Sequence, residues 1–236
     1  MTDFTVITVI LEDLMKFFTP KAKHIIVTGH FGSGKTNVAV NMALMMAKEN
    51  KRICIADMDI VNPYFRTADD VAELKNAGVR CIIPEFANTN VDIPSLPAEI
   101  YSIFASDEDN TILDVGGDDT GAVALGMYSH YLENQGYEML YVVNCYRPLT
   151  PTADDAITLM RDIEERSRLR CTGIVNNSNI GKESDACSFE ESFAYADEIA
   201  KKTSLPLLFD TTCLDYINES RNIVRISDMT KRIWDN

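Results

Sequence analysis

The stretch Gly29-His30-Phe31-Gly32-Ser33-Gly34-Lys35-Thr36 fits the pattern G-x-x-x-x-G-K-[ST] in full. Residues of these types at this spacing make a phosphate cradle. The glycines let the chain turn tightly, so that successive N–H groups converge on one anion. A helix starting at the end of the loop adds the partial positive charge of its N-terminus. In such a loop Lys35 reaches the β- and γ-phosphates of a nucleotide, and the Thr36 hydroxyl ligates Mg²⁺. All eight residues, Gly29 to Thr36, are therefore candidate nucleotide contacts.

Two acidic strand ends accompany the loop. Thr-Ile-Leu-Asp114-Val-Gly-Gly117 ends an apolar run in an acid, which suits an Asp114 that holds Mg²⁺ through a water molecule. Asp114-x-x-Gly117 also has the form of a switch whose glycine N–H senses the γ-phosphate. A second apolar run ends in Asp57-Met58-Asp59, followed by Asn62-Pro63 and Arg66. This acid pair either orients an attacking water and reaches the Mg²⁺ shell, or is a solvated turn before Pro63. Arg66 is either a neutraliser of developing phosphate charge or a surface arginine. The candidate metal residues are thus Thr36, Asp57 and Asp114, and the candidate catalytic residues Lys35, Asp59 and Asp114.

Elements that would position these residues can be read from the apolar pattern. Strands are expected at residues 24–28, 52–56, 79–83, 111–115, 138–144, 171–176 and 205–209. Helices are expected at 35–49, 67–77, 98–105, 125–135, 151–169 and 189–202, and at least partly over 217–234. Uniformly apolar strands separated by helices predict βαβ units, hence a mostly parallel central sheet in a three-layer α/β/α sandwich of the P-loop type. Ligands of such sheets lie at the carboxyl ends of the strands, where every motif above falls.

The order of these motifs resembles the MinD/ParA/CobQ group of P-loop ATPases, within the SIMIBI class. Pro148-Leu-Thr-Pro-Thr-Ala-Asp-Asp-Ala156 is similar to the stretch that opens a helix in that group, and Gly173-Ile-Val-Asn-Asn177 to its base-contacting strand. The likeness spans roughly residues 24–210. It implies ATP and Mg²⁺ as ligands, Asp59 as the positioner of the hydrolytic water, Asp114 in the metal shell and Asn176 as the adenine contact. Preference for ATP over GTP rests on this likeness, since no N-K-x-D guanine motif is evident. Many members of the group carry a lysine directly after the first glycine of the loop, which crosses a homodimer to the partner's phosphates. Here that position is His30, which is shorter and mostly neutral at pH 7.

Bulk properties exclude several alternatives. With 22 Lys and Arg against 36 Asp and Glu, the net charge is −14, a field that repels nucleic acid. Six cysteines stand singly without a C-x-x-C pair, arguing against zinc and for a reducing, cytoplasmic setting. The apolar run 4–11 is far shorter than the about 20 residues a membrane span needs. Residues 1–23 read as an N-terminal extension and 24–236 as a single nucleotide-binding domain. Met15 is either the physiological start, or residues 5–18 form an added helix. The tail 221–234 is either an amphipathic interfacial helix or a terminal helix docked on its own domain, with membrane binding the weaker reading.

The leading expectation is a Mg²⁺-dependent ATP hydrolase that works as a nucleotide-dependent switch, with an unknown protein partner or acceptor. The alternatives are an ATP-using metabolic enzyme, amidoligase-like or a small-molecule kinase with the 86–97 loop over its substrate, and a non-hydrolysing scaffold.

Overall fold

The computed structural model describes residues 16–49, 51–59, 71–83, 98–105 and 108–229. Among the described residues eight strands form one sheet: β1 (His24–Thr28), β2 (Ile53–Asp57), β3 (Arg80–Ile82), β4 (Asn110–Asp114), β5 (Tyr137–Val143), β6 (Gly173–Asn176), β7 (Leu207–Thr212) and β8 (Ile223–Arg225). Their order across the sheet is β3-β2-β4-β1-β5-β6-β7-β8, and each neighbouring pair runs parallel. The helices are α1 (Lys35–Lys48), α2 (Val71–Asn76), α3 (Ser102–Ala105), α4 (Asp119–Gly126), α5 (Ser129–Gln135), α6 (Ala153–Ser167) and α7 (Ala186–Thr203).

Strand alternation divides the core between the two faces of the sheet. Ile25 and Val27 of β1, Ile53 and Ile55 of β2, and Leu140 and Val142 of β5 pack with α1 on one face. Ile26, Cys54, Ala56, Met139, Tyr141 and Val143 pack with α4, α5, α6 and α7 on the other. Residues 35 to 46 of α1 are buried throughout, because the sheet covers one side and the C-terminal segment the other. The second cover is specific. The Asn41 carboxamide donates to the Ser227 carbonyl at 2.8 Å and accepts from the Ser227 amide at 2.9 Å, and Asn37 accepts from the Met229 amide at 2.8 Å. Phe18 is also in this layer, 4% exposed and 6.0 Å from the Phe209 ring, so the chain enters the core before β1 begins.

The α/β/α sandwich with its parallel sheet is as expected, and two elements differ. The helix expected over 125–135 is two helices. Asp118 accepts from the Gly121 amide at 2.8 Å and starts α4 early, while Gly126 lies against α6 so closely that a Cβ there would come within 2.8 Å of the Arg166 carbonyl oxygen. The chain turns at that contact and α5 begins anew. Over residues 217–229 of the segment expected to be at least partly helical (217–234) there is no helix; instead Ile223–Arg225 form strand β8, whose Ile223, Val224 and Arg225 register with Asp210, Thr211 and Thr212 of β7. Its apolar residues recur at a helix-compatible spacing, but a β-branched pair beside an open strand edge gains more from the sheet. The interfacial helix expected from residue 221 therefore does not form over 223–225. Among the described residues no helix is long and apolar enough to cross a membrane.

Several expectations fall outside the described residues: Asn62-Pro63, Arg66, the start of the 67–77 helix, the 86–97 loop, residues 1–15 and the end of the tail from residue 230.

Candidate functional site

Sheet order turns around at β1, which has β4 on one side and β5 on the other. A reversal of this kind opens a crevice at the carboxyl ends of the strands, and the phosphate loop hangs from β1 into it. Asp57 and Asp114 are register partners at the ends of β2 and β4, and Val27 of β1 pairs with the same Asp114. Both acids thus stand level with the start of the loop. Asp57 and Asp114 are fully buried, and Asp59, Lys35 and Thr36 nearly so.

Short bonds fix this cluster. The Met58 amide donates to the Asp114 carbonyl at 2.8 Å and the Asp59 amide to Asp57 Oδ1 at 2.9 Å, which folds the chain back toward the loop. Lys35 Nζ then donates to Asp59 Oδ2 at 3.1 Å. Burial by itself would push the Lys35 pKa down. The carboxylates of Asp114, Asp59 and Asp57 outweigh it and hold the ammonium above its ordinary value. Lys35 thus stands among three carboxylates.

The loop is held by close backbone approaches. A Cβ on Gly29 would come within 2.3 Å of the Val142 carbonyl oxygen, and one on Gly117 within 1.8 Å of the Gly29 carbonyl oxygen. Gly117, the glycine of the Asp114-x-x-Gly117 motif, therefore lies directly on the first residue of the phosphate loop. Gly34 has φ +83°, and a Cβ on it would sit 2.1 Å from Asn177 Nδ2. His30 and Ser33 are buried within the loop, and Ser33 Oγ has no hydrogen-bond partner among the described residues. Burial lowers the His30 pKa, a backbone hydrogen bond at Phe31 opposes this, and the charges of Arg147 and Lys35 lower it further, so the ring is neutral at pH 7. Phe31 is 52% exposed at the crest of the loop.

Helix α1 starts without the devices that open the other long helices. Thr152 with Asp155 and Asp185 with Ser188 form capping boxes on α6 and α7. Gly34 gives α1 no side-chain cap, and its first turn holds no acid. The positive end of α1 is left for an anion.

Sequence reasoning misses Asn177. Its Nδ2 donates to the Ser33 carbonyl at 2.7 Å, and its Oδ1 accepts from the Thr211 hydroxyl at 2.6 Å, which ties β7 to the phosphate loop. Asn176, the residue the resemblance assigns to the adenine, is fully buried one position earlier. Its carboxamide donates to Ser192 Oγ at 2.9 Å and Asp210 Oδ1 at 2.8 Å, and accepts from the Ser178 hydroxyl at 2.7 Å. A base contact by this side chain would need those bonds exchanged. Strand periodicity carries the signal: Asn176 is the last residue of β6, and Asn177 the first beyond the end, where ligands lie.

No family model matches the sequence, and no curated protein matches it. Solved structures do share the fold. FtsY from Mycoplasma mycoides aligns over 84% of this chain at 14% identity with a TM-score of 0.55. A nucleotide-binding protein from Archaeoglobus fulgidus in complex with ADP aligns over 85% at 18% identity and 0.51. The signal recognition particle 54 kDa protein from Aeropyrum pernix in complex with GDP aligns over 86% at 17% identity and 0.53. The chain spans 62% of that FtsY, 84% of the nucleotide-binding protein and 47% of the 54 kDa protein. The chain shares the α/β P-loop fold of these structures.

Proposed function

We propose that the chain binds ATP with Mg²⁺ and hydrolyses it as a nucleotide-dependent switch. The observation that carries this reading is the Lys35 cluster: a full phosphate-loop motif whose lysine is buried among Asp57, Asp59 and Asp114 at the uncapped start of α1. Triphosphate would lie along the loop, with Lys35 exchanging its Asp59 contact for phosphate oxygens. That exchange releases the Asp59 carboxylate to accept a hydrogen bond from an attacking water, the role we assign it.

The donor set suits Mg²⁺. Among the described residues no group of three or more His, Cys, Asp or Glu is placed to hold a metal alone. Mg²⁺ takes one or two carboxylates and completes its shell with water and substrate phosphates. Thr36 would ligate it through the hydroxyl, with Asp114 and Asp57 behind, holding its waters. When bound, the ion neutralises charge between the β- and γ-phosphates.

Structures of this fold hold ADP in one case and GDP in another, so base choice must come from side chains beyond the loop. We assign adenine on the likeness to the MinD/ParA/CobQ group, the sequence having no N-K-x-D motif. Gly117 rests on Gly29, so a γ-phosphate entering the loop would press on the segment between β4 and α4 and give the two nucleotide states different structures there. His30 is buried in its own loop, which favours a site completed within one chain over a partner's residue reaching across.

Hydrogen exchange tests the switch. Amides of residues 116–120 should be protected with a non-hydrolysable MgATP analogue and not with MgADP. Equal protection in the two states would remove the switch and leave the metabolic-enzyme or scaffold reading.

A further inference from the structure

Beside the phosphate loop, on the side away from the carboxylates, lies a second cation that no sequence motif singles out. Arg147 follows β5, and its side chain lies over Gly32: a Cβ on that glycine would be 3.4 Å from both Arg147 Cδ and Nε and 3.8 Å from Cζ. A Cβ at position 32 would thus be in van der Waals contact with the arginine side chain. The charge of Arg147 reaches the loop interior, since it helps lower the pKa of His30.

The segment carrying Arg147 is built to hold still. Turn bonds run from the Arg147 amide to the Asn144 carbonyl at 3.3 Å and from the Thr150 amide to the Arg147 carbonyl at 3.1 Å. Asn144, nearly fully buried, accepts from the Tyr146 amide at 3.0 Å and donates to the Asn179 carbonyl at 3.2 Å. Helix α7 anchors both ends of the turn: the Tyr146 hydroxyl donates to the Ser188 carbonyl at 2.5 Å, and the Tyr195 hydroxyl to the Thr150 carbonyl at 2.9 Å. The Cys145 amide donates to Ser178 Oγ at 3.0 Å. A solvent-facing arginine would not need a loop fastened this way. A residue that must meet a ligand at a fixed point does, because ordering it beforehand removes that cost from binding.

Electrostatics supplies the reason for a second cation. Lys35 is already shared among three carboxylates, and the lysine that would follow the first glycine is His30, neutral at pH 7. A triphosphate adds about four negative charges, of which Mg²⁺ offsets two. We propose that Arg147 is a phosphate-neutralising binding residue of this site, supplied within the chain, its guanidinium donating to phosphate oxygens of a nucleotide held over Gly32. The inference rests on the nucleotide-binding reading above and extends it to the side of the loop facing β5.

The test is calorimetric titration of wild type, Arg147→Gln, Arg147→Lys and Lys35→Ala with MgATP. Losing a charge-assisted bond to phosphate should raise the Kd of Arg147→Gln about ten- to a hundredfold, while Arg147→Lys, which keeps the charge, should stay within about fivefold of wild type. Wild-type affinity in Arg147→Gln beside lost binding in Lys35→Ala would overturn the inference and leave the proposed function standing. Equal losses in the Lys and Gln variants would overturn it too, since Arg147 would then only shape the loop. No binding by wild type would sink both. Should Arg147→Gln not fold, phenylglyoxal modification of wild type decides: saturating MgATP should shield Arg147, and undiminished modification there would count against the proposal.

Discussion

Lys35→Ala should lose MgATP binding by a hundredfold or more on the order-of-magnitude worth of charged phosphate contacts, and should also weaken the unliganded protein. The second effect follows from burial. Asp57, Asp59 and Asp114 are buried beside Lys35, and removing the ammonium takes away the cation they share. Breaking a buried pair in this way costs roughly 3–5 kcal/mol. For a chain of this size that is a fall in Tm on the order of 10 °C. Millimolar Mg²⁺ should restore part of the loss, because carboxylates deprived of the ammonium then attract the cation directly. Thermal unfolding with and without Mg²⁺ checks this. A variant as stable as wild type would mean that the three acids do not act on Lys35 as the geometry requires.

Asp59→Ala should separate binding from turnover. Asp59 holds Lys35 at 3.1 Å; in the proposed function triphosphate takes that ammonium over, so loss of Asp59 should leave the MgATP affinity near that of wild type. Phosphate release should fall about a hundredfold or more, the usual contribution of a positioned base. Stability should drop less than in Lys35→Ala, since Lys35 keeps Asp114 and Asp57 as partners. Unchanged phosphate release would remove Asp59 from the role of water positioner and shift attention to the scaffold reading.

Much of this site is legible in the amino-acid sequence because its chemistry is local. The phosphate loop announces itself because its demands are met by consecutive residues: tight glycine turns, a lysine and a hydroxyl at one helix start. Asp114 and Asp57 stand out because an acid ending an apolar strand has few other uses, and strand register then brings them together. Asn177 and Arg147 stay hidden because what matters about them is distance across the sheet. Each meets the loop from a different strand end, 144 residues along the chain in the case of Asn177 and Ser33. The C-terminal strand reads as a helix for a related reason. The spacing of Ile223, Ile226 and Met229 suits a helix, and only the open edge of β7 and the Asn37 and Asn41 carboxamides decide otherwise. Strand β8 and the segment after it thus hang on partners that no window of sequence contains.

Residues 29–36 are proposed to take a triphosphate with Mg²⁺ and to prefer adenine. Calorimetric titration of the Mg²⁺-loaded wild-type protein with ATP and, separately, with GTP tests this most directly. We expect one-to-one ATP binding at least tenfold tighter than GTP, a difference of about 1.4 kcal/mol, weakened on chelating the metal. Tighter binding of GTP would overturn the adenine assignment. Binding of neither would contradict the account at its root.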